Sequence, residues 1–243
     1  MARPIRRGRP TYGVDTGVVL LDADLPRPVG DVGNAATFQF PLHYEVTEGA
    51  PVDHVVERAA AGLLDNFVQS GRSLLRRGAM AIATSCGFLS IFQSQLVESL
   101  QVPCATSSLL QIPLLLRMLP SEHSIGLVTA NASTLSGQHF QGAGVVASDM
   151  ERVVPIGLEH TKHFYSVIIG SDEPLDVSVA EAEVVTACVE ALDRDHAIGA
   201  FVLECTNLPP YAGAIREATG RPVWDAVSLI NWLQYGVQGL ASR

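Results

Sequence analysis

Two cysteines lie at matching positions in two halves of this chain. Cys86 and Cys205 each follow an apolar run, and in both halves a proline, Pro103 or Pro222, begins the next apolar run 17 residues later (103 − 86 and 222 − 205). A cysteine loop, a helix and a strand therefore recur at equal spacing. This repetition predicts two similar lobes, and it constrains the fold more than any other feature of the sequence.

Apolar runs of strand length alternate with amphipathic stretches along the chain. The predicted strands are residues 17–21, 79–84, 102–106, 125–129, 167–169, 198–203 and 222–224. The predicted helices are residues 52–77, 89–100, 109–119, 133–141, 177–193 and 211–219. Strands that are apolar on both faces and joined by helices form parallel sheets with right-handed crossovers. We therefore predict an α/β protein with two similar lobes, each a parallel sheet flanked by helices, and an active site in the cleft between them.

The boundary between the lobes is predicted next to Pro120, because proline disfavours a helical conformation in the preceding residue. Residues 1–119 then form the first lobe and residues 120–225 the second, with residues 226–243 crossing back to complete the first. Residues 27–34 are rich in glycine and proline and follow the first strand. They are predicted to form a loop at the catalytic edge of the sheet, where it could serve as a lid.

The composition limits the partners that we expect. The formal charge of −9 repels phosphate backbones and anionic lipid, so neither nucleic acid nor a membrane is expected as a partner. No apolar run approaches the roughly 18 residues that a spanning helix needs. The basic residues 1–10 are interpreted as a disordered tail rather than a signal sequence, so the expected location is cytoplasmic. The sequence does not decide between a monomer and a homo-oligomer.

The sequence predicts chemistry without a metal or a cofactor. It contains no CxxC or HExxH motif, which argues against a zinc site. Lys162 is the only lysine and lies in a polar stretch, which argues against pyridoxal phosphate. Residues 142–144 lack the third glycine of a dinucleotide fingerprint. We therefore expect no cofactor.

The two repeated cysteines are the candidate catalytic residues. A thiol at a strand-to-helix turn lies near helix N-terminal N–H groups, which lower its pKa from about 8.5 toward neutrality and make it a usable base. Cys86 and Cys205 are predicted to occupy such turns, whereas Cys104 and Cys188 are interpreted as buried small hydrophobes. All four cysteines are expected to be reduced.

Polar groups close to these turns are candidate ligands for a substrate carboxylate. Hydroxyl and backbone N–H donors at helix N-termini bind such anions. The candidates are Ser85, Gly87, Ser107, Ser108, Thr206 and Asn207. For Ser107 and Ser108, simple N-capping of the following helix is an equally good interpretation.

Three motifs resemble those of a known superfamily. SCGF at residues 85–88, TSSLLQIP at 106–113 and LECTNLPPYAGAIREATGRPVWDA at 203–226 are similar to sequences of the cofactor-independent aspartate/glutamate/hydantoin racemases. The resemblance implies one catalytic cysteine per lobe. One thiolate, from Cys86 or Cys205, would remove the proton from the substrate α-carbon, and the opposite thiol would deliver another.

The resemblance also implies two binding residues and a leading function. Thr206 matches the threonine of the superfamily's Cys-Thr motif, and Asp22 resembles the aspartate that glutamate racemases place in their amino-acid pocket. The leading expectation is a racemase or epimerase acting on an amino acid of the aspartate or glutamate type, with a small carboxylate-bearing substrate.

The same motifs are also similar to dimethylsulfoniopropionate lyases of this superfamily. Their elimination likewise begins with removal of a proton beside a carboxylate, so the same thiolate can serve either outcome. Phe88 and Tyr211 lie near the cysteines in sequence and could contact an onium group. A carbon–sulfur lyase is therefore the alternative to a racemase.

Two further alternatives stay open. A non-catalytic protein of two α/β lobes could close on a small acid without converting it, although such a protein gains nothing from a thiol in each lobe. The other alternative is a decarboxylase of the superfamily, which would typically need just one cysteine, so the presence of two counts against it.

Overall fold

The computed structural model describes residue 8, residues 10–169 and residues 173–239. The tail predicted over residues 1–10 lies outside the described residues except at positions 8 and 10, and the segment predicted over 226–243 is described up to residue 239.

In the described part of the chain, eight parallel strands form two sheets with the same topology. The first sheet has the order β2-β1-β3-β4 and the second the order β6-β5-β7-β8. The strands of the first sheet are β1 (Thr16–Leu21), β2 (Leu42–Thr47), β3 (Ala81–Thr84) and β4 (Cys104–Ala105), and those of the second are β5 (Ser124–Thr129), β6 (Val153–Gly157), β7 (Ile198–Leu203) and β8 (Val223–Trp224). All pairings within the sheets are parallel, which confirms the predicted α/β fold with two similar lobes.

Helices connect the strands and cover both sheets. The α-helices of the described residues are α1 (Val52–Glu57), α2 (Leu64–Arg77), α3 (Gln93–Leu100), α4 (Ile112–Met118), α5 (Gly137–Gly142), α6 (Ala147–Met150), α7 (Phe164–Ile169), α8 (Val177–Arg194), α9 (Ala212–Thr219) and α10 (Ala226–Val237). Short 3-10 helices occupy Ala35–Thr37, Gly87–Phe92, Ser108–Gln111, Ala132–Thr134 and Pro209–Tyr211. Among these described elements, no helix has the length and apolar character that crossing a bilayer requires.

The predicted strand at residues 167–169 is wrong, because this apolar run is the buried side of α7. The side chain of Glu183 accepts hydrogen bonds from the backbone N–H groups of Lys162, His163 and Phe164, which lie at the start of that helix. A carboxylate at this position satisfies N–H groups that a helix leaves free and interacts favourably with the helix dipole. This tertiary contact favours a helix where the local pattern indicates a strand.

Two strands were not predicted, and both lie at sheet edges. β2 is only half-buried along most of its length, so it lacks a continuous apolar run. β6 contains Pro155, a residue that usually argues against a strand but is tolerated at an edge. Edge strands of this kind give a weak sequence signal even though each completes its sheet.

Each sheet is covered in part by one helix that comes from the other half of the chain. α10 packs on the first sheet, where Ile230 belongs to one buried cluster with Val18 of β1 and Ala83 of β3. α4 packs on the second sheet, where Leu116 shares a cluster with Leu127 of β5. The boundary next to Pro120 stays a prediction, but burial places α4 with the second sheet although it precedes that point in the chain.

The packing of α10 generates a stability prediction. Ile230 is 1% exposed, so its replacement by alanine should leave a cavity and lower the free energy of unfolding by about 2–5 kcal/mol. Trp232 lies on the same helix and is 67% exposed, so Trp232→Ala should change that free energy by no more than about 0.5 kcal/mol. Urea denaturation of both variants measures the difference, and equal effects would contradict this packing.

Candidate active site

The two cysteines lie on equivalent turns at the carboxyl ends of β3 and β7. Ser85, the residue before Cys86, donates its backbone N–H to the carbonyl of Val19 in β1 at 2.9 Å. Glu204, the residue before Cys205, donates its N–H in the same way to Val128 in β5 at 2.7 Å. The carboxyl ends of parallel strands are where open α/β sheets bind ligands. The repeat detected in the sequence therefore places each thiol at the ligand-binding edge of its sheet.

Both thiols line one cavity of about 40 Å³ between the lobes. Cys86 is 8% exposed and Cys205 is half-buried. Much of the cavity wall is apolar and includes Leu21, Leu25, Val52, Val56, Phe88 and Ile168. The cavity is far smaller than the roughly 300–1,000 Å³ typical of drug-sized ligands, so it suits a small substrate.

Two side-chain hydrogen bonds hold the second turn against the first lobe. The hydroxyl of Thr206 donates to the backbone carbonyl of Ser85 at 2.5 Å. The side-chain N–H of Asn207 donates to Asp31 Oδ2 at 2.6 Å, and its carbonyl oxygen faces the Cys205 thiol at 3.6 Å. The side chain of Asn207 is therefore oriented at both ends, and it positions Cys205 relative to the first lobe.

The loop of residues 27–34 contributes a charged pair that the sequence analysis missed. Arg27 lines the cavity, and its guanidinium Nη1 lies 2.9 Å from Asp31 Oδ1. The same carboxylate oxygen accepts the backbone N–H of Gly33 at 2.6 Å. A β-carbon at Gly33 would overlap the Arg27 side chain, so the loop needs glycine there. An arginine and an aspartate four residues apart in a glycine-rich loop after the first strand are the signal that could have identified the pair.

Glu204 is the third residue that the sequence analysis missed. It is fully buried and lines the cavity, and its Oε2 accepts the hydroxyl hydrogen of Thr129 at 2.8 Å. Its other oxygen, Oε1, has no hydrogen-bond partner among the described residues. Gly87 packs directly on this oxygen, because a β-carbon there would overlap Oε1. Burial raises the pKa of Glu204 to about 7, and the Thr129 hydrogen bond partly opposes that rise.

The thiols are harder to ionise than the sequence analysis predicts. Burial raises the pKa of Cys86 to about 12, and the charge of Glu204 adds to that rise. The backbone N–H groups of Phe88 and Leu89 lower it, as expected for a helix N-terminus, but burial has the larger effect. Burial, together with Glu204 and Asp31, raises the pKa of Cys205 well above its usual value. The expectation of a near-neutral thiol pKa is therefore wrong for both cysteines.

Most of the predicted binding residues reach the cavity. Ser85, Gly87, Thr206 and Asn207 line it together with the two cysteines. The hydroxyl of Ser85 also accepts the backbone N–H of Leu21 at 3.3 Å. The cavity thus gathers both repeated turns, as the matching positions predict.

Three predicted binding residues do not line this cavity. Asp22 is exposed, and its carboxylate accepts the backbone N–H of Gly49 at 2.9 Å. Ser107 caps the following 3-10 helix by accepting the N–H of Leu109 at 3.2 Å. Ser108 donates to the carbonyl of Leu203 at 2.6 Å and links the lobes. Both serines therefore have structural roles. For Ser107 this role is the N-capping that the sequence analysis considered.

Alkylation kinetics test the ionisation of the thiols. Iodoacetamide reacts with the thiolate, so Cys86 in the native protein should label slowly near neutral pH, and its rate should rise about tenfold per pH unit in alkaline solution. The unfolded protein, in which all cysteines are exposed, is the control. Peptide mass spectrometry measures each site, and fast labelling of native Cys86 near neutral pH would contradict the pKa of about 12.

The close approach of Gly87 and Glu204 gives a second test. Gly87→Ala should overpack the contact between the two turns and lower the free energy of unfolding by about 1–3 kcal/mol. Gly213 lies in α9 with no atom near the position of a β-carbon, so Gly213→Ala should leave stability unchanged or increase it. Thermal unfolding of both variants and of the wild-type protein measures the difference in stability. A Gly87→Ala variant as stable as the wild-type protein would mean that the two turns are not in tight contact.

Comparison with known proteins identifies similar sequences among dimethylsulfoniopropionate lyases. A lyase of this name from Durusdinium sp. clade D is 29% identical over 92% of this chain and 77% of its own length. Dimethylsulfoniopropionate lyase 3 of Emiliania huxleyi is 30% identical over 88% of this chain, which spans only 57% of the lyase. No protein-family model matches the chain.

Solved structures of two enzymes share the fold of this chain. An unliganded arylmalonate decarboxylase superposes with a TM-score of 0.54 at 18% identity and covers 93% of both chains. A glutamate racemase from Bacillus anthracis gives a TM-score of 0.60 at 14% identity, over 96% of this chain and 85% of the racemase. The resemblance stated from the motifs is confirmed: the chain has the fold seen in glutamate racemase and arylmalonate decarboxylase, and its sequence is similar to those of dimethylsulfoniopropionate lyases.

Proposed function

We propose that this protein is a carbon–sulfur lyase acting on dimethylsulfoniopropionate. The reaction removes a proton from the carbon beside the carboxylate and releases dimethyl sulfide and acrylate. One observation carries the proposal: a small buried cavity combines a pair of thiols, a single arginine and an apolar wall. The similarity to dimethylsulfoniopropionate lyases supports the same substrate.

Arg27 is suited to hold the substrate carboxylate. Its side chain is 15% exposed and lines the cavity, while Asp31 fixes the guanidinium from the other side. A guanidinium binds carboxylates through a planar set of donors. Removal of the α-proton places additional negative charge on the carboxylate, so a cation at this position lowers the barrier to carbanion formation.

The apolar wall favours a sulfonium over an amino group. An ammonium brings N–H donors, each of which needs an acceptor when it is buried. A dimethylsulfonium presents methyl groups and carries its charge without donors, so apolar and aromatic side chains such as Phe88 can surround it. The carboxylates of Glu204 and Asp31 supply negative charge near the same space.

Cys86 is the thiol better placed to act as the base. Burial raises the pKa of both thiols, but among the smaller effects the charge of Arg27 lowers that of Cys86, whereas the charge of Asp31 raises that of Cys205. The Cys86 thiolate takes the α-proton, the electrons of that C–H bond form the C=C bond, and the C–S bond breaks with its electron pair on sulfur. Dimethyl sulfide then leaves as a neutral molecule and needs no proton from an acid.

A two-base racemase is the second candidate, because both thiols line the same cavity. In that reaction one thiolate removes the α-proton and the opposite thiol returns one to the other face. Both cysteines would then be needed for inversion, and the product would keep all substituents of the α-carbon.

Proton NMR in deuterated water distinguishes the two candidates. The protein is incubated with dimethylsulfoniopropionate and, separately, with aspartate and glutamate. We expect acrylate and dimethyl sulfide from the first, and neither inversion nor α-hydrogen exchange with the amino acids. Inversion of an amino acid without any elimination would overturn the lyase in favour of the racemase.

Serine variants assign the base. Cys86→Ser should lower the rate of elimination by at least about 100-fold, because a serine hydroxyl is a far weaker acid than a thiol. Cys104→Ser is the matched control, since Cys104 lies outside the cavity lining and its thiol contacts only the carbonyl of Val102, at 3.4 Å, in the described hydrogen bonds. Elimination that survives in Cys86→Ser but not in Cys205→Ser would assign the base to Cys205 instead.

A further inference from the structure

One buried carboxyl group of the site has no part in the proton transfer assigned to Cys86. Glu204 is fully buried and lines the same cavity as both cysteines. Its Oε1 lacks a partner among the described residues, although an unsatisfied buried carboxylate oxygen costs free energy. A buried carboxyl group that lowers the stability of the protein in this way, and that lies beside both thiols, indicates a role in the reaction.

The geometry brings Glu204 to both thiols at once. Glu204 directly precedes Cys205, and its Oε1 packs on Gly87, the residue that directly follows Cys86. The negative charge of Glu204 raises the pKa of each thiol, which reflects this proximity. The thiols and the carboxyl group are therefore one coupled set of acids, and their protons cannot be assigned independently.

We propose that Glu204 carries the negative charge of the resting site and accepts the proton of a cavity thiol when a cationic substrate binds. The proton moves from sulfur to Glu204 Oε1, which leaves a thiolate and a neutral carboxylic acid, and no other reactant is needed. Glu204 is thus a positioning residue that acts through the thiol. This inference rests on the proposed function, because a sulfonium bound closer to the thiol than to Glu204 stabilises the thiolate more than the carboxylate.

Charged and titratable groups from several elements surround this set. Arg27 and Asp31 come from the loop of residues 27–34, Cys86 from the turn after β3, and Tyr211 from the 3-10 helix that follows Cys205. Arg27 and Asp31 form an ion pair, and burial raises the pKa of Tyr211 to about 12, so its phenol stays neutral. Glu204 is then the group of this set whose charge changes near neutral pH.

Glu204→Gln is the central test, because the amide can keep the hydrogen bond from Thr129 while it loses the charge. We expect elimination to fall by at least about 100-fold and the acid limb of the pH–rate profile near pH 7 to disappear. The same variant should alkylate faster at Cys86 and Cys205, because removal of a neighbouring negative charge lowers both thiol pKa values. A purely structural role does not predict opposite changes in turnover and alkylation.

Thr129→Val provides a second variant outside the reacting groups. It removes the hydrogen bond that lowers the pKa of Glu204, so the acid limb of the wild-type profile should move to higher pH. Glu204→Asp keeps an ionisable group and should retain an acid limb. An unchanged limb in both Thr129→Val and Glu204→Gln would overturn the proposal.

The alkylation assay separates this inference from the proposed function, because it needs no substrate. Faster alkylation in Glu204→Gln with no elimination by the wild-type protein would support the coupling of Glu204 to the thiols and reject the lyase. Elimination by wild type with equal alkylation and turnover in Glu204→Gln would support the lyase and reject the role of Glu204. If Glu204→Gln fails to fold, Thr129→Val and Glu204→Asp provide the same comparison.

Discussion

The site depends on the contact between two strand-end turns from different lobes. Thr206 donates its side-chain hydroxyl to the Ser85 carbonyl, and the side chain of Glu204 packs on Gly87, so side chains of the second turn lie directly on the backbone of the first. Each turn alone would present one thiol to solvent. Their contact brings both thiols into the lining of a single small cavity. The catalytic potential of the chain therefore arises from the fit between lobes rather than from either lobe.

Burial between the lobes also determines the protonation of the acidic groups at the site. Burial raises the pKa of Cys86, Cys205, Glu204 and Asp31 alike, since it disfavours every negative charge. Arg27 is the cation among the described residues that line the cavity, and Asp31 already pairs with it. Both thiols therefore favour the protonated form near neutral pH. A substrate that brings its own positive charge would change this balance, whereas the low dielectric would strengthen each of its interactions.

The repeat in the sequence predicts two similar α/β lobes and the turns that carry Cys86 and Cys205, but not the edge strands β2 and β6. It could not predict that burial opposes the helix N-terminus at these thiols, because burial depends on how the lobes meet. Asn207 and Asp31, which are 176 residues apart in sequence, contact each other only in the folded chain. Local patterns likewise gave no sign that Glu183 would hold α7 as a helix. These contacts join distant segments, whereas the Arg27–Asp31 pair lies within one short loop and could have been identified from the sequence.

The repeated turns differ at one position that bears on the outcome of the reaction. Ser85 and Glu204 donate equivalent backbone hydrogen bonds, yet one side chain is a neutral hydroxyl and the other an ionisable carboxyl group. A racemase that works in both directions needs two bases of comparable strength on opposite faces of the substrate. Burial raises the pKa of both thiols, but the smaller effects of Arg27 on Cys86 and of Asp31 on Cys205 act in opposite directions and add to the difference between the turns. This asymmetry suits an elimination, which removes one proton from one face and returns none.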